Sequence, residues 1–108
     1  MTRHFEMAVK ARVQRLKDSE GLSDEDIAWA LDEVERLCQL EYPHADYSVE
    51  PVHCTGDKWH RQKPEGAAFR MILSIRPETQ RIVVQAILRR DDDTYRKVEL
   101  IFNRSTDQ

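Results

Sequence analysis

The spacing of apolar positions divides the chain near Pro43. Before it, apolar side chains recur every three or four residues, as on one face of a helix. The members of the first set are Phe5, Ala8, Val9, Val13 and Leu16, and those of the second are Ile27, Leu31, Val34 and Cys38. This spacing predicts two helices joined as an antiparallel hairpin, the first ending near Gly21 and the second near Pro43.

The start of the second helix has a local signal of its own. Ser23 begins a Ser-x-x-Asp sequence, a weaker form of the capping box, and acidic residues at 24–26 suit the positive end of a helix dipole. The start of the first helix is less defined, because the residues before Phe5 could instead form a short edge strand. The sequence leaves both options open.

After Pro43 the pattern predicts strands. A short alternating stretch covers 47–52, a polar stretch with Gly and Pro covers 53–66, and 68–75 is strand-like before a turn at 76–79. The run from Ile82 to Leu88 is the most apolar in the chain and predicts a central strand covered on both faces. The stretch 53–66 is either an excursion or a weak strand, and 95–102 is either a last strand or a helical turn.

Together these elements predict an α+β fold in one domain covering residues 1–108. The N-terminal helical hairpin (1–43) would pack on a mostly antiparallel sheet of three or four strands, and 45–104 would hold that sheet and a C-terminal segment. A chain of 108 residues can bury such a core without disulfides or a metal.

Charge is distributed unevenly along this acidic chain. The formal net charge is −3, but residues 1–50 carry −6 and residues 51–108 carry +3. Between Lys58 and Arg90 there are eight basic residues and two acids. An embedded basic patch of this kind predicts an anionic partner, of which phosphate is the commonest.

Other features narrow the class of protein. No apolar stretch approaches the roughly 18 residues of a membrane span, and the N-terminus lacks the apolar core of a signal peptide. Cys38 and Cys54 are read as free thiols of a reducing compartment, which predicts a cytoplasmic protein with no membrane partner. The histidines and cysteines lack the spacing of metal ligands, so neither a metal site nor a cofactor is expected.

A further pattern connects the basic residues in order. It begins with Arg61-Gln62-Lys63, continues through Gly66 to Leu73 with an aromatic-Arg-apolar sequence, and ends after the apolar run with the stretch from Arg89 to Tyr95. This order resembles the RelE-type branch of the RelE/ParE bacterial toxins. The resemblance covers about forty residues in detail, and the first fifty only in the order of elements.

The resemblance implies a toxin of a toxin–antitoxin pair that is an endoribonuclease. RelE-type members cleave mRNA, often on the ribosome, by attack of the 2′-hydroxyl on the adjacent phosphate without a metal. RNA, the ribosome and a cognate antitoxin would be the partners. The catalytic residues implied are Arg61, Lys63, Arg70, Arg89 and Tyr95, with Arg90 as the alternative to Arg89 in the clamp on the phosphate. The substrate-binding residues implied are Lys58, Trp59, His60 and Arg90.

Each role has a plainer alternative. Arg61, Lys63 and Arg70 could simply solvate a sheet face, Tyr95 could anchor the C-terminal segment, and Trp59 could lie in the core rather than stack on a base. His60 is a second candidate for proton transfer.

Three features depart from the family. The calculated pI is near 5.8, position 61 is Arg where the family has Lys, and the acids at 91–93 would either repel phosphate or hold Arg89 or Arg90. The competing hypothesis is therefore a catalytically inactive binding module that inhibits a protein target.

Overall fold

The protein is described by a computed structural model, which covers residues 3–105. In chain order the elements are β1 (Glu6–Val9), α1 (Arg12–Leu16), α2 (Asp24–Cys38), β2 (Val49–Pro51), β3 (His60–Gln62), β4 (Phe69–Arg76), β5 (Arg81–Arg89) and α3 (Thr94–Arg104). Short 3-10 turns at Pro43–Ala45 and His53–Thr55 flank β2. The strands form one sheet in the order β1-β5-β4-β3-β2.

The apolar run near the end of the chain lies at the centre of this fold. Residues 82–88 of β5 are all buried, and β5 pairs with β1 in parallel and with β4 in antiparallel. One face of the sheet packs against α2, where Val34 and Leu37 meet Met71 and Leu73. The other face packs against α3. The prediction of a central strand covered on both faces is therefore confirmed.

The predicted N-terminal helical hairpin is wrong. The first element of the described chain is a strand rather than a helix, since Glu6–Val9 pairs with the outer side of β5, where Met7 lies opposite Ile82. Only Arg12–Leu16 of the predicted first helix is helical. A buried strand needs partners for the backbone N–H and C=O groups on both of its sides, and this pairing supplies them. That requirement outweighs the helical spacing of the apolar residues.

The predicted sheet also needs correction. It has five strands rather than three or four, and it is mixed because β1 runs parallel to β5 while the other pairs are antiparallel. The two strands that the sequence did not define are β1 and the three-residue β3. Short strands of this length carry too few residues for an alternating pattern to stand out.

The second helix begins as predicted and ends earlier. The Ser23 side chain accepts a hydrogen bond from the Asp26 N–H at 3.0 Å, and the Asp26 carboxylate accepts one from the Ser23 N–H at 2.9 Å, so the capping box is confirmed. The helix ends at Cys38, before Pro43. The C-terminal stretch left open between strand and helix is α3. Within residues 3–105, no helix is both long and apolar enough to cross a membrane.

Candidate functional site

Pairing within the sheet brings two of the candidate arginines to one face. Arg61 of β3 lies opposite Ile72 of β4, and Arg70 of β4 lies opposite Leu88 of β5. Residues that pair directly across strands point to the same face. Ile72 and Leu88 pack with Val98 of α3, so both arginines lie on the face that α3 covers.

Beside these arginines, the loop between β3 and β4 borders an open groove of about 560 Å³, called here the basic groove. It is lined by Lys63, Pro64, Glu65, Gly66, Ala67, Ala68, Phe69, Arg70 and Arg90. The Arg90 N–H donates to the Ala68 carbonyl at 2.8 Å, which holds the end of β5 against this loop. Three cations face one acid in the lining, so the groove suits an anion.

Arg70 is one of five side chains with a buried polar atom that lacks a partner among residues 3–105, and it is the one that lines the basic groove. Its Nη1 atom is buried and has no hydrogen-bond partner among residues 3–105. Burial lowers the pKa of the guanidinium, and the neighbouring Arg61 and Arg90 lower it further. A buried donor without an acceptor costs free energy, and buried donors in native proteins are nearly always satisfied. Arg70 is therefore placed to gain an acceptor when an anion enters the groove.

Glu50 adds an acid to this face. It lies opposite Arg61 in the β2–β3 pair, and its Oε2 accepts hydrogen bonds from the Arg61 Nε, at 3.2 Å, and from the Arg61 Nη2. The Lys63 Nζ lies 3.9 Å from the other carboxylate oxygen. The hydrogen bond from Arg61, and then the charges of Arg61 and Lys63, hold the pKa of Glu50 below its usual range. Glu50 therefore carries a negative charge that partly neutralises two of the candidate cations.

Tyr95 completes the group from the first turn of α3. About half of its surface is exposed, and the Arg61 guanidinium lies 5.2 Å from the centre of its ring. This is the geometry of a cation–π contact, which fixes the ring beside the charged cluster. The plainer alternative, an anchor of the C-terminal segment with its hydroxyl at the rim, is equally compatible with this half-exposed position.

Arg89 lies away from the groove. Its backbone N–H donates to the Glu20 carboxylate at 2.9 Å, its Nε donates to the Glu20 carbonyl at 2.9 Å, and its Nη2 donates to the Gly21 carbonyl at 2.7 Å. Position 89 pairs with Phe69, whose ring packs on the α2 side. Arg89 therefore ties the loop before α2 to the sheet, and Arg90 is the residue that reaches the groove.

The remaining substrate-binding candidates are also separate from the groove. Trp59 is only 1% exposed and packs edge-on to Phe102 at 5.0 Å, so its ring cannot stack on a base in this structure. His60 lies opposite Leu73, on the α2 face, and burial and then His44 lower its pKa. His60 and Lys58 line a different cleft of about 310 Å³.

The acidic loop before α3 does not hold either neighbouring arginine through a hydrogen bond. Instead, Asp91 accepts a hydrogen bond from the Lys97 Nζ at 3.1 Å and one from the Asp93 N–H at 2.8 Å. The Lys97 hydrogen bond is the main cause of the lowered pKa of Asp91. Asp92 and Asp93 are exposed beside it.

Chemically, the arrangement can bind a phosphate and move a proton. Arg70 and Arg90 supply donors, Glu50 an acceptor, and Tyr95 a hydroxyl. Sequence reasoning missed Glu50, because its position opposite Arg61 depends on the register of β2 on β3. Across the described part of the chain, no group of three or more His, Cys, Asp or Glu residues could hold a metal ion. The two cysteines are unpaired.

Comparisons with known proteins do not assign the chain to a family. No family model matches the chain, and no curated protein sequence matches it significantly.

Proposed function

We propose that this protein is a RelE-type toxin that binds RNA in the basic groove and cleaves it without a metal ion. The observation that carries the proposal is the unsatisfied Nη1 of Arg70, set among three further cations at 61, 63 and 90. A phosphodiester has the charge and the oxygen acceptors that this cluster lacks. The planar guanidinium can engage two phosphate oxygens and stays protonated at neutral pH.

The chemistry we propose is an internal transfer at phosphorus. The 2′-oxygen of the RNA forms a bond to the adjacent phosphorus while the bond from phosphorus to the 5′-oxygen breaks. This leaves a cyclic phosphate on one product and a 5′-hydroxyl on the other. Glu50 would accept the proton of the 2′-hydroxyl, and Tyr95 would donate a proton to the leaving 5′-oxygen. Arg70 and Arg90 would stabilise the charge that develops on the nonbridging oxygens.

The biological setting of the proposal comes from the residue pattern between Arg61 and Tyr95 rather than from the groove. By that resemblance the substrate is mRNA on the ribosome, the compartment is the bacterial cytoplasm, and an antitoxin protein silences the toxin. Antitoxins of this kind can dock an amphipathic segment on the toxin.

One observation favours a second candidate, a catalytically inactive binding module. Glu50 already engages Arg61 and Lys63, which leaves Arg70 and Arg90 as the groove cations without an ion pair to an acid among the described residues. A module of this kind would bind an anionic surface of a protein target without cleaving RNA.

Induced expression in bacteria separates the two candidates. Wild-type protein should arrest growth, and primer extension should find new 5′ ends in a translated mRNA. Arg70→Ala and Tyr95→Phe should abolish both effects at equal soluble expression. Arg81→Ala, which removes an exposed arginine at the far end of β5, should retain them. Folded wild-type protein that arrests growth without new 5′ ends would support the binding module instead.

A further inference from the structure

A second groove lies between α1 and α3 and shares no lining residue with the basic groove. Its volume is about 290 Å³, and it is called here the arginine groove. It is lined by Arg12, Arg15, Leu16, Ile101, Arg104 and Ser105. Leu16 and Ile101 also pack against the apolar cluster under α3, so the groove has an aliphatic floor and a cationic rim.

Among residues 3–105, the three arginines of this groove have no acidic counterpart. None of them forms an ion pair with an acid among residues 3–105, and the hydrogen bond that Arg12 makes is to the Ser105 hydroxyl at 3.4 Å. Some arginines elsewhere do form ion pairs with acids, as in Arg36 with Asp46. The chain has 20 acids against 17 Lys and Arg residues, so a shortage of acids does not explain the difference. The described lining of the groove therefore carries a net positive charge and can accept an external anion.

Helix α3 runs between the region of the basic groove and the arginine groove. It carries Tyr95 at its first turn, where the ring contacts Arg61 on the sheet face that also holds Arg70, and Arg104 at its last turn, in the arginine groove. At about 1.5 Å of rise per residue, the two ends are separated by about 14 Å along the helix. A polyanion that occupies the first groove can therefore extend along α3 to the second.

We infer that the arginine groove binds backbone phosphates of the RNA strand beyond the segment held in the basic groove. The inference rests on the proposed function, since it concerns the same substrate. Guanidinium groups suit phosphate oxygens, and the lining includes no aromatic side chain on which a base could stack. Contacts to phosphate carry no direct sequence information, so the groove adds affinity for longer RNA without adding sequence preference.

The test compares short and long RNA. Fluorescence anisotropy would measure the binding of a labelled trinucleotide and of a labelled RNA of about twelve nucleotides, both 2′-O-methylated to prevent cleavage, over a range of salt concentrations. The variant is Arg15→Gln with Arg104→Gln, two exposed side chains that are not needed for packing. The control is Arg81→Gln, also exposed, and circular dichroism would confirm that all variants fold.

The double variant should weaken binding of the long RNA about tenfold at low salt and reduce the salt slope by about 1.4, or about 0.7 for each lost phosphate contact. Binding of the trinucleotide should not change. If neither RNA binds the wild-type protein, the proposed function fails and the inference fails with it. If Arg70→Met weakens binding of the long RNA but the double variant does not, the inference alone is overturned. Equal weakening of both RNAs, or binding of a Glu- and Leu-rich peptide in place of RNA, would overturn it as well.

Discussion

Replacement of Arg70 by Met should stabilise the free protein while it weakens RNA binding. Arg70 holds a buried Nη1 without an acceptor among residues 3–105, and it lies near the like charges of Arg61 and Arg90. Methionine keeps the apolar stem and removes both the donor and the charge. The two effects have opposite signs because the features that make Arg70 costly in the free protein are those that would hold a phosphate.

The size of each effect follows from the hydrogen bonding of Arg70. An unsatisfied buried donor costs about 1–3 kcal/mol, and Arg70 is only partly buried, so we expect the free energy of unfolding to rise by about 1 kcal/mol. For a chain of this size that raises Tm by about 5 °C. A hydrogen bond to a charged group contributes about 1.5–3 kcal/mol, which corresponds to about a 10- to 150-fold loss of RNA affinity.

Urea unfolding would measure the stability, and fluorescence anisotropy with a labelled RNA would measure the affinity. Arg81→Met is the matched control, because Arg81 is exposed and lies at the opposite end of β5. Its free energy of unfolding and its RNA affinity should both stay near those of the wild type. The reasoning would be refuted by an Arg70→Met protein that unfolds at lower urea than the wild type, or by one that binds RNA with unchanged affinity.

Three further variants test other parts of the molecule. Arg89→Ala removes two side-chain hydrogen bonds, to the Glu20 and Gly21 carbonyls. It should lower the free energy of unfolding by about 1–3 kcal/mol and leave RNA affinity unchanged. The hydrogen bond from Arg36 lowers the pKa of Asp46 to about 2. The ionised Asp46 carboxylate therefore stabilises the folded protein fully above about pH 4, and this stabilisation is lost as the pH falls towards 2. Asp46→Asn should therefore lose about 1–2 kcal/mol at pH 7 and little at pH 2, which urea midpoints at both pH values would show. Glu50→Gln should raise RNA affinity in anisotropy and lower the single-turnover cleavage rate; a fall in affinity would contradict its role as a competing anion.

Local signals in the sequence predicted the elements that local chemistry determines. The capping box at Ser23 and the apolar run from Ile82 to Leu88 required no knowledge of distant residues. The strand Glu6–Val9 could not be predicted in this way, because Phe5, Val9 and Val13 also fit a helical face. Its conformation is decided by pairing with β5, more than seventy residues away in the chain.

In the candidate site, too, the position of single residues depends on pairing with distant parts of the chain, which the local sequence does not predict. Side chains alternate between the two faces of a strand, so an error of one residue moves a group to the opposite side of the sheet. Arg89 and Arg90 are adjacent, yet the first is tied to the loop before α2 and the second lines the basic groove. The sequence left open which of the two lies beside Arg70, and the pairing of Arg70 with Leu88 places Arg90 on that side of the sheet.

The acidic character of the whole chain is no obstacle to the RNA binding that we propose at the basic groove, because the sheet separates the charges. Helix α2 carries acids at 24–26, 32, 33 and 35, and it packs on the face opposite α3. Salt screens exposed charges beyond about 8 Å at physiological ionic strength, so acids on the outer side of α2 have little effect on an anion in the groove. The acids that matter lie nearby, and Glu50 is the one that directly engages two groove-side cations. If this face binds phosphate as proposed, the local balance between Glu50, Glu65 and their basic neighbours, rather than the pI of the chain, would set the affinity.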